Sequence, residues 1–289
     1  MKRYLALQKI VQTGSFSKAA EALGYTQSAM SQMISSLEEE LSMKLLNRFR
    51  TGTQLTLEGE ALYPYMEQTI YHYFSMQEKA KEIRGLDTGI IRMGTLASIS
   101  AHWMPKLLKE FQALYPSVEF VIHQGDYTSI QNWIKTGAVD FGFVNPKAVN
   151  GLQTIPLKEG IMLAVFPEHH ALAQKEIVPL SELAEEPFIL LEEGHYYEPL
   201  EAFEQIGKRP NIKYTIHDDY AIMTMVEAGL GISILAELVL RRTNYRLLLR
   251  KTEPPVYRTI AIGYRDVYSL PIASKRFLEY LKEHLSELP

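Results

Sequence analysis

Gln27, Ser28, Ser31, Gln32 and Ser35 fall on one side of a helical wheel, a row of short hydroxyl and amide groups with no cation among them. Such groups can enter a DNA major groove and hydrogen-bond to base edges or phosphates, and a glutamine amide has the geometry to pair with adenine. Long basic side chains in the same places would favour affinity over discrimination. An ordinary solvated helix face fits these five residues equally well, so their neighbourhood has to decide.

The helix that would carry them is marked by its other side. Met30, Met33, Ile34, Leu37 and Leu41 recur at spacings of three and four, a buried stripe, and Thr26 is placed to cap the helix. Upstream, Leu5, Leu7, Ile10 and Val11 predict a first helix ending near Gly14. Ser17 reads as the cap of a short helix over 18–23, in which Ala19 and Ala20 let another helix approach closely, and Gly24 supplies the stop. Helix, tight turn and longer helix make a helix-turn-helix. Downstream, Lys44, Arg48 and Arg50 frame "NRFRTGTQLT", where Gly52 reads as a hairpin tip. That is a wing able to set Arg48, Arg50 and Thr53 on phosphates, or else a solvated basic loop.

Charge is divided along the chain. Residues 1–56 carry a formal +3, so with a total of −4 the remainder carries −7, a small basic head on an acidic body. The balance argues against indiscriminate coating of nucleic acid. With 289 residues, 46% of them hydrophobic, the chain can build several modules with real cores. No long apolar run or signal-peptide core is present, so a cytoplasmic protein without membrane association is expected. The absence of cysteine removes disulfides, thiolate metal sites and cysteine nucleophiles together.

From Leu62, the positions Leu62, Met66, Thr69, Tyr73, Met76, Ala80 and Ile83 step alternately by four and three, the spacing of a helix–helix seam. The seam predicts dimerisation through Leu62, Met66, Tyr73, Met76 and Ile83, although a helix packed on its own domain fits too. Pro64 predicts a kink or a start nearer Leu62, and "RGLDTG" at 84–89 is expected to form a hinge. Beyond it, strand-like "GIIRMGTLA", "VEFVIHQGD" and "VDFGFVN" alternate with helical "AHWMPKLLKEFQALYP" and "TSIQNWIKTG", which predicts a doubly wound α/β domain with a parallel sheet. A second series starts at "IMLAVFP", and "YRTIAIGYR" with "SKRFLEYLKEHL" returns to the first unit. The domains expected are therefore 1–57, 58–88 and 89–289, the last with lobe I at 89–160 plus 264–289 and lobe II at 161–263. The cleft between two such lobes, edged by strand and helix ends, suits small ligands.

"GSFSKAAEALGYTQSAMSQMISSLEEEL", followed by "LLNR" and "LTLEGE", resembles the winged helix-turn-helix of LysR-type transcriptional regulators. Ser42 stands where that family usually has Gly, Leu46 where Phe is common, and Leu57-Glu58 where Pro-Ala is frequent. "MPKLLKEFQALYP", "TGAVDFGFV" and "VEAGLGISIL" resemble the same family's effector domain, itself similar to type 2 periplasmic binding proteins. The resemblance implies a sequence-specific regulator with no cofactor, a double-stranded DNA operator and a small-molecule effector as partners, and assembly as a homodimer or homotetramer. On the DNA side it points to Ser17, Thr26, Gln27, Ser28, Ser31, Gln32 and Ser35, with Arg48, Arg50 and Thr53 on the backbone. Carried over to the body, it implies effector contacts at Thr95, Ala97, Ser98 and Ser100, then at Gly125, Asp126, Tyr127 and Thr128. In the second lobe it implies Glu193, Gly194 and His195, and Asp219 with Tyr220.

Asp126, Glu192, Glu193, Asp218 and Asp219 crowd these loops. They read either as helix caps and solvated acids or as a site for an amine-bearing or polyhydroxylated, amino-acid-like effector, with Ser98, Ser100 and Thr128 on its carboxylate. Catalysis is not expected. His169-His170 lacks metal-ligand spacing, "AGLGIS" is a fragment of a dinucleotide fingerprint in the wrong context, and no G-x-S-x-G or Walker sequence occurs. The alternative is a solute-binding protein carrying an N-terminal helical module; an enzyme is the more distant one.

Overall fold

The computed structural model describes all residues except 50, 51, 84–88 and 242, and all side chains of those residues except 75, 78, 79 and 81–83. The chain forms two compact units, Met1–Gly85 with Thr136–Ala138, and the remainder of Leu86–Pro289.

In the first unit, α1 (Lys2–Thr13), α2 (Phe16–Leu23) and α3 (Gln27–Leu41) precede a hairpin of β1 (Leu46–Phe49) and β2 (Gly52–Leu55), and α4 (Leu57–Ile83) follows. Gly14 and Gly24 end α1 and α2 in the left-handed region, at φ 63° and 70°. The cap of α2 is Ser15, not Ser17: its Oγ accepts the Lys18 N–H at 3.4 Å. Phe16 is buried in the head's core, which draws it into the first turn, moves the cap one residue ahead of it and leaves Ser17 exposed. Ala6, Leu7, Ile10, Ala19, Ala20, Met30, Ile34 and Leu37 fill the rest of that core, each large side chain contributing about 1.5–3 kcal/mol over exposure.

Glu38 ties the wing to α3. Its Oε1 accepts the Leu45 N–H at 2.9 Å and its Oε2 takes the Lys44 ammonium at 2.6 Å. Burial pushes this carboxyl up, but the hydrogen bonds from Lys44, Leu45 and Leu46 outweigh it and leave it below its ordinary range. Thr56 donates to the Lys44 carbonyl and accepts the Gly59 N–H at 2.9 Å, which starts α4 at Leu57 rather than near Leu62 and carries it through Pro64. A Cβ on Gly59 would overlap the Leu45 carbonyl oxygen. Leu62 and Met66, predicted for a dimer seam, pack against the head's own core, Met66 buried and Leu62 half-buried. Tyr73 is half-buried and Met76 exposed, while the Ile83 side chain and the hinge at 84–88 lie outside the described residues.

In the second unit, β3 (Gly89–Thr95), α5 (Ala97–His102), α6 (Met104–Leu114), β4 (Val118–Gln124), α7 (Tyr127–Thr136) and β5 (Phe141–Val144) build the first lobe. There follow β6 (Gln153–Pro167), β7 (Ile177–Pro179), α8 (Leu180–Leu183), β8 (Pro187–Leu191), α9 (Glu198–Gln205), β9 (Asn211–Ile216), α10 (Asp219–Glu227), β10 (Ser233–Ala236), β11 (Leu247–Glu253), β12 (Val256–Tyr264) and α11 (Ile272–Glu283). The large sheet runs β4-β3-β5-β12-β6-β11-β7, with β10 also on β6 and β8–β9 a separate parallel pair.

The first lobe's sheet is mixed, not purely parallel, because β12 lies antiparallel to β5. Strands β6 and β12 pair antiparallel over 153–162 and 256–264 and carry the chain between lobes. Val256 belongs to the second lobe's core and Ile260 and Ile262 to the first's, so the return crossing falls inside β12, ahead of the boundary expected at 263–264. The reason is that a single strand serves both cores. Gly231 fits the close-packing reading of "AGLGIS": a Cβ there would lie 2.5 Å from the Pro187 carbonyl oxygen. Among the described residues, no helix is long and apolar enough to cross a membrane.

Candidate functional site

The outward face of α3 carries Gln27, Ser28, Gln32 and Ser35, all exposed, with Ser31 half-buried beside them. Thr26 caps the helix through its Oγ1, which accepts the Ala29 N–H at 3.2 Å and lies 3.0 Å from the Ser28 hydroxyl. Ser17, freed from capping, donates to Gln27 Oε1 at 3.2 Å, so one end of the glutamine amide is held. Arg48 on β1 lies 4.0 Å above the Phe16 ring and donates to Ser31 Oγ at 2.8 Å. Thr53 is held by its backbone, whose N–H donates to the Gly14 carbonyl at 2.9 Å, while Arg50 lies outside the described residues. The result is a face of neutral hydrogen-bonding groups flanked by an aimed guanidinium.

In the second unit, β3 and β4 end side by side, with Thr95 opposite Gln124, so the turns after them open on one edge. Facing them are the end of β8 with the loop after it and the start of α10. They enclose a cavity of ≈ 230 Å³ that includes Ala97, Ser98, Gly125, Asp126, Glu193 and Asp219 from the sequence prediction. The other predicted residues form its surroundings. Thr95 and Ser100 hydrogen-bond to each other at 2.5 Å, and Thr128 Oγ1 accepts the His195 N–H at 3.1 Å. Gly194, at φ 94°, has no room for a Cβ against Thr128, and Tyr220 is exposed. Ser100 and Thr128 thus have their hydroxyls engaged within the protein, and Ser98 keeps a free one.

Arg258 was missed. It is 4% exposed, lines the cavity from β12, and donates from Nε to the Tyr127 hydroxyl at 2.8 Å and from Nη2 to Glu193 Oε1 at 2.9 Å. Tyr127, wholly buried, donates its hydroxyl hydrogen bond to Glu198 Oε1 at 2.7 Å, which also accepts the Asn145 amide at 2.9 Å. The only sequence signal was parity: Val256, Arg258, Ile260 and Ile262 share one side of β12, so an arginine stands in a row of core residues. Glu198 and Asn145 gave none.

Burial pushes the Glu193 carboxyl up to about 8 against the opposing pull of Arg258, with Glu198 and Asp219 adding to the rise. Asp219 is raised to about 6, again by burial against Arg258, with Asp218 adding to it. Of the remaining acids of the cluster, Asp126 and Asp218 follow the capping reading, accepting the Ser129 N–H at 2.7 Å and the Ala221 N–H at 2.9 Å, while Glu192 accepts the Tyr197 hydroxyl at 2.7 Å. The His170 ring lies tilted against Phe166 and its Nδ1 accepts the Leu172 N–H, and no group of metal-ligating side chains occurs among the described residues.

A winged helix-turn-helix and a two-lobed α/β body with a polar cavity define a DNA-binding regulator that answers to a small molecule. Comparison gives the family. Residues 1–60 match the bacterial regulatory helix-turn-helix protein, lysR family, and residues 84–286 match the LysR substrate binding domain. The chain is 32% identical over 278 residues to the uncharacterized HTH-type transcriptional regulator YvbU of Bacillus subtilis (strain 168), covering 95% of each chain. In fold it is similar to full-length OxyR from Pseudomonas aeruginosa, at TM-score 0.74, 22% identity and coverage of 99% of this chain and 93% of that one. It is also similar to full-length CbnR complexed with its target DNA, at TM-score 0.70, 17% identity and 98% coverage of both chains. The chain belongs to the LysR family of transcriptional regulators. Regulators of this family bind DNA and small-molecule effectors and form oligomers; they are not enzymes.

Proposed function

We propose that the outward face of α3 reads one operator half-site and that the cavity holding Ser98, Glu193, Asp219 and Arg258 is where the effector binds. Gln27, Ser28, Ser31 and Gln32 are the base-reading set, Ser17, Thr26 and Ser35 flank them, and Arg48, Arg50 and Thr53 take the backbone. The observation that carries the reading is the exposure of an uncharged hydrogen-bonding row, with Gln27 and Arg48 each held by a neighbour. Pre-held groups lose less freedom on binding. A basic head of only +3 makes few phosphate contacts, so two heads on one palindrome are needed for useful affinity.

A homodimer, or a homotetramer built from two, follows from that need. The faces of α4 left exposed, which include Tyr65, Phe74 and Met76, are offered for it in place of the Leu62–Met66 side. The protein works in the cytoplasm, where its DNA is. Ligand control requires the effector to favour one of two arrangements of the oligomer. Selection from a random duplex pool tests the whole reading: two-fold symmetric sites are expected, with half-sites about one helical turn apart. A pool returned without sequence preference would refute it.

A further inference from the structure

The effector cavity has an excess of acid. Asp126, Glu192, Glu193 and Asp219 line it, against one guanidinium, Arg258, and the His217 imidazole. Two of the acids are committed elsewhere, Asp126 to the Ser129 N–H and Glu192 to the Tyr197 hydroxyl. Glu193 and Asp219 are 7% and 8% exposed. Arg258 is divided between Glu193 and Tyr127, and Tyr127 leads on to a third buried acid, Glu198, whose Oε2 has no hydrogen-bond partner. One guanidinium thus faces three buried carboxyls, which can all be ionised only when a further cation joins them; otherwise one of them keeps its proton.

A second observation is independent of charge. Ser98 is 3% exposed, lines the same cavity, and its hydroxyl has no partner. Buried polar side chains are nearly always paired, and a polar group on a ligand in this cavity would supply the pair. An anionic ligand would add to the excess already there, while a purely apolar one would leave both Ser98 and the acids unanswered.

Resting on the reading of this cavity as the effector site, we propose that the effector is a small organic molecule that carries a protonated amine. Its protonated amine is received between Glu193 and Asp219, and a second polar group reaches the Ser98 hydroxyl.

Thermal shift and titration calorimetry on the full chain, with three matched sets of probes, test this. The first set is the amino acids and short diamines, the second the corresponding hydroxy acids and diols, in which hydroxyl replaces amine, and the third the dicarboxylates. Stabilisation by amine-bearing probes alone is expected. Glu193→Gln and Asp219→Asn should each weaken it by roughly thirtyfold, the loss of one partner of a buried charged hydrogen bond. Ser98→Ala should weaken only those probes that carry a second polar group. If hydroxy acids or diols bind as tightly as amines and Ser98→Ala weakens them, the cation is refuted and the cavity remains the effector site. Amines that bind equally well to all three variants also refute the cation. If no probe from any set stabilises the protein, the cation and the cavity fail together.

Discussion

The recognition helix and the effector cavity handle polar groups in opposite ways. On α3, Gln27 is bonded to Ser17 and Ser31 to Arg48 at a water-exposed surface, where any one contact can be exchanged for water or DNA. Around the cavity, Arg258, Tyr127, Glu193 and Glu198 are buried and hold one another, and water cannot replace a lost partner. Exposed polar pairs are worth about 0–1 kcal/mol, whereas removing one member of a buried ionic network costs about 3–5 kcal/mol. The head can therefore vary its contacts without unfolding, while the body must conserve charge balance before it can bind anything. Mutations should show first in binding at one end and first in stability at the other.

The largest effect expected is from Arg258→Ala, which strands Glu193, Glu198 and the Tyr127 hydroxyl. It should destabilise the body by about 3–5 kcal/mol in urea unfolding. A loss no larger than that of a surface substitution would erase the contrast between the two regions.

Titration sharpens the same contrast. With the Glu193 carboxyl raised from 4.5 to about 8, the folded body keeps a proton that the unfolded chain releases near pH 4.5. The stability this group contributes is fully present below that value and is lost as pH rises through about 8. Asp219, raised from 3.8 to about 6, acts with the same sign at lower pH. The melting temperature of the body should fall between about pH 4 and 8, and Glu193→Gln should flatten the part of that fall above about pH 6. An unchanged slope in the variant would place the proton on another group.

On the head, Gln27→Ala should leave stability nearly intact and reduce discrimination between operator and random DNA by about 1–3 kcal/mol. Arg48→Ala should weaken both kinds of DNA alike and lower the salt slope by about one ion. Competition binding at several salt concentrations separates the two. Equal losses on both DNAs for Gln27→Ala would remove it from the base-reading set.

Much of the head was legible because its signals are local. Gly14 and Gly24 needed left-handed φ and the apolar stripe of α3 needed one covered side, both properties of a few neighbouring residues. The cap of α2 was misplaced because Ser15 and Ser17 are equally good caps by type; the burial of Phe16, a tertiary fact, chose between them. The 4-3 spacing on α4 shows that a side is apolar and not what covers it, so it left a partner and the head's own core equally open for Leu62 and Met66, which do touch that core. In the body, strands and helices were visible but the crossing inside β12 was not, since one strand feeding two cores leaves no break in its pattern. Arg258 was hidden by distance along the chain: Glu193, the carboxyl it bonds, lies 65 residues away in sequence, and spacing carries no information at that range.

The smallest expected effect lies at the end of α3, where the resemblance marked Ser42 as a departure. Ser42 has φ 52°, and its N–H donates to the Glu39 carbonyl at 3.1 Å while that of Met43 donates to Glu38 at 3.0 Å. These bonds close the helix and hold a residue with a Cβ in the left-handed region, at roughly 1–2 kcal/mol. Ser42→Gly removes that strain but adds freedom to the unfolded chain, so the net gain should be about 0.5 kcal/mol. Because Ser42 lies at the far end of α3 from Gln27 and Ser28, affinity for operator and random DNA should stay unchanged while the head's unfolding midpoint rises. If Ser42→Gly lowers the midpoint instead, the backbone there is not strained, and the usual glycine of the family answers a different need.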